Sequence, residues 1–536
     1  LAATLEKLCA GGASRCGEVR RMKSDLHLIS RAKIFLLLFA LLAAGKVAAA
    51  ALRFEVTADK KLCDSPVTGR LLVILDRHPM PEPRLGMHAD GPDAPFIIGR
   101  DVNDLAPGVK AVVDGKCITF PITNLSQLPA ADYYVQALLM TNIDIRSPNS
   151  YGNLYSELRQ VHLDPSHSST VKLQLTHRIP GEKIPADTDL IKFIKIQSPL
   201  LSKFHGRPIY LRAGIVLPRD FAKETRKYPL WVRIGGWGTR YTMVQALMDK
   251  NTPFRKNWMA DGTPRMILLQ LDGAGPYGDP YQVNSANNGP YGDAITQELI
   301  PLVEEKFRGI GKPHARVLSG LSTGGWVSLA LQVYYPDFFN GTWTFCPDGV
   351  DFRAFELVNI YEDTNTYVNE YGCERPSERA VNGDVRLYMR REVQFENVLG
   401  TGDSWTMSGK DWCAWNAVYG PRGADGRPTA LWDPQTGKID RALAEEWKKY
   451  DLRLVMEQNW KTLGPKLQGK LRISVGDADN YFLNNAVHLL DDFLSHADPP
   501  YKGRIVFGPG RGHGWTDITT EQQLKEMDAA TGGPQD

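Results

Sequence analysis

A serine flanked by glycines is the first feature of this sequence that could do chemistry. Residues 320–325 read GLSTGG, which contains the pattern G-x-S-x-G around Ser322. The preceding run HARVLSG is predicted to be a buried strand, and the following run WVSLALQVYY a helix. In that context the serine lies on a sharp, strained turn that exposes its hydroxyl at the edge of a sheet, beside a helix N-terminus that favours negative charge. We therefore predict that Ser322 is a nucleophile, with an ordinary β–α turn as the alternative.

The serine needs a general base, because its hydroxyl is a weak nucleophile until the proton is removed. With a G-x-S-x-G turn, the acid and then the histidine usually follow the serine along the chain. Two of the three histidines after Ser322, His488 and His496, lie on or near a predicted helix, where surface or packing positions are common. His513 lies in the segment GRGHG, directly after the last predicted strand. A glycine-flanked loop at the carboxyl end of a strand suits a catalytic base, so we predict His513 in that role.

The acidic partner is expected in the loop after the preceding strand. The segment GDADN follows the run LRISV and offers Asp477 and Asp479. Asp479 lies deeper in the loop, where its side chain can turn toward an imidazole, whereas Asp477 could cap the following helix. We favour Asp479. Asp348, at the end of the predicted strand TWTFCPD, is the alternative, because the acid can also follow a neighbouring strand.

Acyl transfer to a serine also needs hydrogen-bond donors for the oxyanion of the tetrahedral intermediate, and losing one donor costs roughly 3–4 kcal/mol. One donor is usually the backbone N–H of the residue after the nucleophile, which is Thr323. The other is expected from the loop after an earlier strand. The segment GGWG at 235–238 fits that place. We predict the N–H of Trp237 as the second donor, with a simple turn as the alternative.

The surrounding sequence divides into two predicted domains of different character. From 52 to 178, short alternating apolar segments separated by Pro, Gly and Asp predict an all-β sandwich. After a linker near 179–188, continuous apolar runs alternate up to about 525 with amphipathic stretches such as 294–307. This alternation predicts an α/β domain, in which helices cover both faces of a parallel sheet.

Residues 350–465 interrupt the alternation and are predicted to form a large cap or lid. The span is rich in Gly, Asp, Asn and aromatic residues. It contains the tryptophans Trp405, Trp412, Trp415, Trp432, Trp447 and Trp460. These side chains could line an aromatic or sugar pocket, or they could pack a small core of the insertion itself.

The first 50 residues are predicted to be a leader that includes a secretory signal peptide. An apolar run at 34–44 follows Arg31 and Lys33 and precedes three alanines, so cleavage is expected near Ala50. The run is too short for a membrane helix. The leader holds eight basic and three acidic residues; without them, 55 basic and 58 acidic residues remain, and the net charge falls from +2 to −3. A nucleic-acid partner is therefore not expected.

Five cysteines follow the leader, and export would permit disulfides between them. Cys63 and Cys117 in the sandwich, and Cys373 and Cys413 in the insertion, are plausible pairs. Cys346, on a predicted buried strand, is then a candidate for core packing. None of the five has the spacing of a metal-ligand motif, so no metal site is expected.

Four segments together resemble the putative-esterase family of α/β-hydrolases, which includes S-formylglutathione hydrolases of the esterase D type, feruloyl esterases and antigen 85 mycolyltransferases. They read GLSTGGW, GDADNYFL, GRGHGW and SANNGPYGDAITQELIPLVEEKF. The resemblance covers about 200–350 and 465–520, and it implies an α/β-hydrolase domain at 189–525 that contains the insertion. It also implies the following roles: nucleophile Ser322, acid Asp479, base His513, and backbone donors Trp237 and Thr323. Relatives often have His-Gly where this chain has Gly-Gly at 235–236.

The sequence thus predicts a secreted or periplasmic serine carboxylic-ester hydrolase that works through an acyl-enzyme and needs no cofactor. Its expected partner is an ester, with aromatic or carbohydrate-linked esters as options, and no membrane span is expected. Acyl transfer to a sugar or alcohol would use the same residues and stays open, as does a polysaccharide-binding protein with a vestigial triad. A peptidase of the prolyl-oligopeptidase type is disfavoured, because the sequence shows no acidic pair placed to hold a peptide N-terminus.

Overall fold

The computed structural model describes residues 52–536, which form two large β-sheets, two small strand pairs and the helices around them. The predicted leader at 1–50, with the apolar run of its signal peptide at 34–44, lies outside the described residues. Between 52 and 536, no helix is both long enough and apolar enough to cross a membrane.

Nine strands between residues 52 and 178 form one sheet. They are β1 (Leu52–Ala58), β2 (Val67–Asp76), β3 (Phe96–Leu105), β4 (Lys110–Val113), β5 (Ile118–Phe120), β6 (Ala131–Met140), β7 (Leu154–Ser156), β8 (Arg159–Leu163) and β9 (Ser169–Arg178). Their order is β4-β1-β9-β7-β6-β2-β3-β5, with β8 beside β6. The expected sandwich of two sheets is therefore one continuous sheet, because β7 pairs with both β9 and β6. Both halves of the sheet contribute side chains to one core, for example Phe54 and Val73.

One half of this sheet is also buried on its outer face. Side chains alternate along a strand, so Val73 of β2 points into the core while Leu72 and Ile74 point away from it. There they share a second apolar cluster with Phe395 and Val398, which belong to the insertion. The N-terminal sheet therefore packs directly against the insertion.

The strands of the second part are β10 (Ile191–Gln197), β11 (Tyr210–Val216), β12 (Leu230–Ile234), β13 (Ile267–Leu271), β14 (Asn284–Ser285), β15 (Gly289–Pro290), β16 (Arg316–Leu321), β17 (Thr342–Phe345), β18 (Pro376–Arg379), β19 (Val385–Tyr388), β20 (Leu471–Gly476) and β21 (Arg504–Gly508). Eight of them form a sheet in the order β10-β11-β13-β12-β16-β17-β20-β21, while β14–β15 and β18–β19 are separate pairs. From β13 to β21 neighbouring strands are parallel, but β11 is antiparallel to both β10 and β13. The sheet expected to be parallel is thus mixed, because β11 runs opposite to both of its neighbours near the edge of the sheet.

The α-helices are α1 (Pro199–His205), α2 (Met243–Leu247), α3 (Pro253–Met259), α4 (Tyr291–Ala294), α5 (Ile300–Lys306), α6 (Thr323–Tyr334), α7 (Met389–Leu399), α8 (Asp411–Tyr419), α9 (Arg441–Trp447), α10 (Leu452–Leu467), α11 (Asn484–Ser495) and α12 (Thr520–Thr531). A π-helical turn at Ile295–Leu299 joins α4 to α5. Pro301 lies in the first turn of α5, where a missing N–H is tolerated, so the predicted helix at 294–307 continues past it.

The insertion lies between β17 and β20, which are neighbours in the sheet. It contains α7 to α9, most of α10 and the β18–β19 pair. Trp405, Trp412, Trp432 and Trp447 are almost fully buried and belong to the same apolar cluster as the second sheet. The tryptophans therefore pack a core that the insertion shares with the sheet, and Trp412 also lines the cavity described below.

The cysteines of the described residues are all free thiols, so the expected disulfides are not formed. In the insertion, Cys373 is exposed, whereas Cys413 is buried in α8 and its thiol donates to the Thr406 carbonyl at 3.0 Å. In the N-terminal sheet, Cys63 is buried and Cys117 is partly exposed. The insertion pair was wrong because one thiol lies in the core and the other at the surface.

Candidate active site

Ser322 lies on the tight turn between β16 and α6. Its backbone has φ 60° and ψ −125°, a strained combination for a residue with a side chain. A Cβ at Gly320 would lie 1.8 Å from Gly324 O, and a Cβ at Gly324 would lie 2.4 Å from Ile234 O. The turn is possible because both flanking positions lack a side chain, and it holds the serine where the strand ends.

The backbone N–H groups of Thr323 and Trp237 have no hydrogen-bond partner among the described residues. Thr323 is the first residue of α6, where N–H groups have no partner within the helix. Trp237 follows β12, which pairs with β16, and a Cβ on its neighbour Gly236 would lie 3.8 Å from Ser322 Cβ. Both donors predicted from the sequence thus come from loops at the same end of adjacent strands.

A buried carboxylate that the sequence analysis did not single out, Asp279, supports the Trp237 loop. Its Oδ2 accepts from the Gly238 N–H at 3.1 Å, and its Oδ1 accepts from the Tyr281 N–H at 3.0 Å. Burial raises the pKa of Asp279 to about 7, although these two N–H groups act to lower it. No sequence signal identifies Asp279, because its contact with Gly238 spans 41 positions.

His513 and Asp479 form a hydrogen-bonded pair between the loops that follow β21 and β20. His513 Nδ1 and Asp479 Oδ2 are 2.8 Å apart, and the Asp479 side chain is fully buried. The other oxygen, Oδ1, accepts from the Tyr481 N–H at 2.9 Å, which orients the carboxylate. Because Nδ1 is engaged with the carboxylate, Nε2 is the ring nitrogen left to accept a proton.

The pKa of His513 is raised above its ordinary value of 6.5. Burial alone would lower this pKa, but the hydrogen bond and charge of Asp479 outweigh burial, and the charges of Asp348 and Glu378 add to them. These carboxylates therefore stabilise the imidazolium that forms when the histidine accepts a proton.

Asp477, the alternative acid in the same loop, contacts the backbone of the histidine loop rather than the imidazole. Its Oδ1 accepts from the Gly510 N–H at 2.7 Å. Nearby, Asn480 Oδ1 accepts from the His513 N–H at 2.8 Å. The segment GDADN thus contributes one carboxylate to the histidine ring and two polar groups that hold the loop around it.

Asp348, the other alternative acid, belongs to a separate buried network. Its Oδ2 accepts from the Tyr281 hydroxyl at 2.5 Å, from Thr323 Oγ1 at 3.1 Å and from Trp415 Nε1 at 3.2 Å. Burial raises the pKa of Asp348, and these donors together with the nearby His513 act to lower it. No hydrogen bond joins Asp348 to the His513 ring, whose described carboxylate partner is that of Asp479.

Ser322 and His513 both line a cavity of about 320 Å³, together with Trp237 and Thr323. The hydrogen bond of the His513 ring goes to Asp479, and none of the described hydrogen bonds reaches Ser322 Oγ. Catalytic hydrogen bonds are often long before a substrate binds and tighten in the complex. Four of the five residues predicted from the sequence therefore line one cavity, Asp479 lies buried behind His513, and the serine oxygen is free to meet a ligand.

The insertion supplies much of the remaining wall of this cavity, and its contribution is acidic. Its carboxylates in the wall are Glu356, Glu378, Glu392 and Asp411. The sequence showed no acidic pair placed to hold a peptide N-terminus, and the structure places these four carboxylates around the predicted site. The four residues are far apart in the sequence, and only the folding of the insertion brings them to one surface.

One group of described residues could in principle hold a metal ion. One ligand atom each from Cys346, Asp479 and His513 lies within 4.8 Å of the other two. The Cys346 thiol, however, donates to the Trp515 carbonyl at 3.3 Å, and burial, with the charge of Asp479, raises its pKa to about 11. A protonated thiol is a poor metal ligand. The arrangement therefore favours the Asp479–His513 hydrogen bond over a metal site.

Residues 211–492, just over half of the chain, match the model of a family described as "Putative esterase". The match includes Trp237, Ser322 and Asp479 and ends before His513. No curated protein matches the chain by sequence.

Several solved structures are similar in fold. A ferulic acid esterase is 14% identical with a TM-score of 0.36, and the alignment covers 64% of this chain and 98% of that one. The fluorophosphonate-binding serine hydrolase F of Staphylococcus aureus is 14% identical with a TM-score of 0.38, over 63% of this chain and 97% of that one. An S-formylglutathione hydrolase from Agrobacterium tumefaciens is 12% identical with a TM-score of 0.36, over 65% and 99%.

Proposed function

The chain belongs to the esterase family that its residues 211–492 match, and from this premise we propose that it hydrolyses carboxylic esters with Ser322 as the nucleophile. Membership confirms the family resemblance seen in the sequence motifs. One observation above all supports the proposed roles. Ser322, on a strained turn, lines the same cavity as His513, and the Nδ1 of that histidine is held by the buried Asp479.

In the proposed first half-reaction, His513 Nε2 takes the hydroxyl proton while Ser322 Oγ attacks the ester carbonyl carbon. The carbonyl oxygen becomes an oxyanion, which accepts hydrogen bonds from the free N–H groups of Thr323 and Trp237. When the C–O bond to the alcohol breaks, His513 returns the proton to the leaving oxygen. The products of this half-reaction are the free alcohol and an acyl group esterified to Ser322.

In the second half-reaction, His513 takes a proton from water, and the resulting hydroxide attacks the acyl carbon. The tetrahedral intermediate collapses, the serine oxygen recovers its proton from His513, and the carboxylic acid leaves. Asp479 keeps its negative charge throughout and stabilises the imidazolium in both half-reactions. Every proton and electron pair is thus accounted for by ester, water and the side chains of this chain.

The direct test is Ser322→Ala, measured with p-nitrophenyl butyrate and with a fluorophosphonate probe. Removal of the nucleophile should lower kcat by at least about 10⁴-fold and abolish covalent labelling. Ser65→Ala, which changes an exposed serine of the N-terminal sheet domain, is the matched control and should retain both. Full activity of Ser322→Ala on this ester would contradict the proposal.

Acyl transfer to a sugar or alcohol would use the same acyl-enzyme, with the acceptor hydroxyl in place of water. The two outcomes are separated by product analysis: an acylated acceptor would exceed the free acid if transfer were the main reaction. Unlabelled Ser322 in folded protein would instead favour the polysaccharide-binding alternative.

We also propose that residues 52–178 and 189–525 are two domains, with the insertion at 350–465 as a cap.

We further propose that the protein is secreted or periplasmic. The leader pattern at 34–44 supports export. The mass of the protein recovered from the periplasm or medium should correspond to cleavage near Ala50. Retention of an uncleaved chain inside the cell would contradict the proposed location.

A further inference from the structure

The cavity beside Ser322 collects carboxyl groups from five separate elements. Its carboxylates are Asp348 after β17, Glu356 after the 3₁₀ turn at Phe352–Ala354, Glu378 in β18, Glu392 in α7 and Asp411 at the start of α8. No Lys or Arg residue is among those that line the cavity. Carboxylates brought together from distant elements are unfavourable unless something positive or hydrogen-bonding compensates them.

Two of the five carboxylates are compensated by the protein. Asp348 accepts the three hydrogen bonds of its network, and Glu378 Oε1 lies 3.2 Å from Arg386 Nη1. Within residues 52–536, no Lys or Arg nitrogen lies within 4.0 Å of a carboxylate oxygen of Glu356, Glu392 or Asp411. Burial raises the pKa values of Glu392 and Asp411, and the nearby Lys410 acts to lower both, whereas Glu356 has no compensating group.

Glu356 is the clearest case, because it is only 4% exposed and yet has no partner. Its Oε2 is buried without a hydrogen-bond donor, and no ion pair reaches it. Burial raises the pKa of Glu356 well above 4.5, and the charges of Glu392, Asp348 and Asp411 raise it further. An unsatisfied buried acceptor is costly, so a donor carried by a ligand would be strongly favoured here.

The spacing of the carboxylates does not suit a metal ion. Among the described residues, the only three His, Cys, Asp or Glu ligand atoms found within 4.8 Å of one another are those of Cys346, Asp479 and His513. No three of the pocket carboxylates therefore lie close enough together to hold one ion, but the carboxylates can surround a larger group. Trp412, Trp415 and Tyr481 line the same cavity, and aromatic faces attract organic ammonium groups. The ring of Trp237, which also lines the cavity, already lies 5.4 Å from Lys410 Nζ.

We propose that this cavity takes esters that carry an organic ammonium group, which lies among Glu356, Glu392 and Asp411 while the carbonyl meets Ser322. The proposal rests on the proposed function and names its substrate class. A volume of about 320 Å³ suits a small ester. The ammonium group can belong to the acyl part, as in an amino-acid ester, or to the alcohol part, as in a choline ester, and both supply the same chemistry.

The test compares two pairs of esters that match in shape and differ in charge. Acetylcholine is paired with 3,3-dimethylbutyl acetate, and β-alanine methyl ester is paired with methyl butyrate, with acid release followed in a pH-stat. We expect kcat/KM for the cationic member of one pair to exceed that of its neutral partner by roughly 10- to 100-fold. The pair that shows the preference identifies whether the ammonium lies on the alcohol or the acyl side.

Variants of the insertion test whether its carboxylates cause the preference for cationic esters. Glu356→Gln and Glu392→Gln, which keep side-chain size, should each reduce the ratio of cationic to neutral kcat/KM several-fold or more. Glu370→Gln removes an exposed carboxylate of the same insertion outside the cavity and should leave the ratio at the wild-type value. A wild-type ratio near one for both pairs, with the neutral esters hydrolysed, would overturn this proposal and leave the proposed function standing.

A binding measurement separates this proposal from a failure of the proposed function. Calorimetric titration of Ser322→Ala with choline, β-alanine methyl ester, 3,3-dimethylbutanol and Ca²⁺ requires no turnover. Binding of either ammonium compound without binding of the neutral alcohol supports the cation site, even if no ester is hydrolysed. Absence of binding by both ammonium compounds, or binding of Ca²⁺ in their place, would overturn it.

Discussion

The two walls of the cavity differ in how their carboxylates are satisfied. Behind the wall formed by the ends of the sheet strands, Asp479 and Asp279 support His513 and the Trp237 loop, and each accepts hydrogen bonds through both oxygens. On the wall formed by the insertion, Glu356 has no partner, and neither Glu392 nor Asp411 has a cationic nitrogen within 4.0 Å. Satisfied groups are held in one geometry, whereas unsatisfied ones gain from a ligand. The difference teaches that the sheet side fixes the geometry of the proposed reacting groups, and it is the basis for proposing that the insertion selects the substrate.

The largest effect should come from Asp479→Asn on the sheet wall. Its Oδ1 position would still accept from the Tyr481 N–H, so the amide NH₂ would face His513 Nδ1. That nitrogen would then have to accept a hydrogen bond, which places the ring proton on Nε2 and removes the base. We expect kcat to fall by about 10⁴-fold with p-nitrophenyl butyrate.

The matched control for this change is Asp477→Asn in the same loop. An asparagine oxygen can still accept from the Gly510 N–H, so kcat should stay within about tenfold of wild type. Circular dichroism of both variants checks that each is folded. Equal losses of kcat in Asp479→Asn and Asp477→Asn would contradict the proposal that Asp479 acts on the histidine ring while Asp477 only holds the loop.

A smaller effect is expected from Asp279→Asn, a change in a positioning residue. Both carboxylate oxygens accept backbone N–H groups, so one of them would face an amide NH₂ and the Trp237 loop would shift. Misplacing one oxyanion donor should lower kcat by roughly 10- to 100-fold and change KM little. The split between kcat and KM is the diagnostic readout.

Asp64→Asn, at an exposed position of the N-terminal sheet domain, is the control and should leave both constants unchanged. If Asp279→Asn raised KM while kcat stayed constant, Asp279 would act on substrate binding rather than on the oxyanion loop. In that case Asp279 would be grouped with the insertion carboxylates that are proposed to select the substrate.

The smallest effect should appear in the pH dependence of kcat/KM, because groups from the sheet side and from the insertion both act on His513. The base must be neutral, so kcat/KM for a neutral ester should rise with pH through an apparent pKa above 6.5 and then level off. Glu378 of the insertion contributes to raising the pKa of His513, so Glu378→Gln should move this rise to lower pH. Glu370→Gln, at an exposed position, should leave the profile in place. An unmoved or upward-shifted profile in Glu378→Gln would show that the insertion does not tune the base.

The proposed reacting groups could be predicted from the sequence because each lies in a local pattern that has a physical cause. The turn around Ser322 demands glycine where a Cβ would meet the Gly324 carbonyl at 1.8 Å. His513 and Asp479 each follow a short apolar strand that an ordinary hydrophobic pattern identifies. The structure brings Ser322 and His513 to one cavity and places Asp479 behind His513.

Other features depended on contacts between distant segments, and sequence patterns missed them. The strands β10 and β11 make the second sheet mixed, and β7 joins the two halves of the first sheet. The free state of Cys373 and Cys413 follows from their different burial, which spacing alone does not reveal. Each outcome was decided by what the segment packs against rather than by its own composition.

By itself, the sequence determined the family, the strand–turn–helix around Ser322 and the order in which Asp479 and His513 follow it. Local backbone constraints and hydrophobic periodicity depend on residues that are close in the sequence, so they can be predicted without knowing the fold. Only the tertiary structure decided that Asp279 holds the Trp237 loop and that Glu356 lies buried and unpaired in the cavity that Ser322 also lines. The reason is physical: burial and hydrogen-bond satisfaction belong to sets of residues that meet only when the chain has folded.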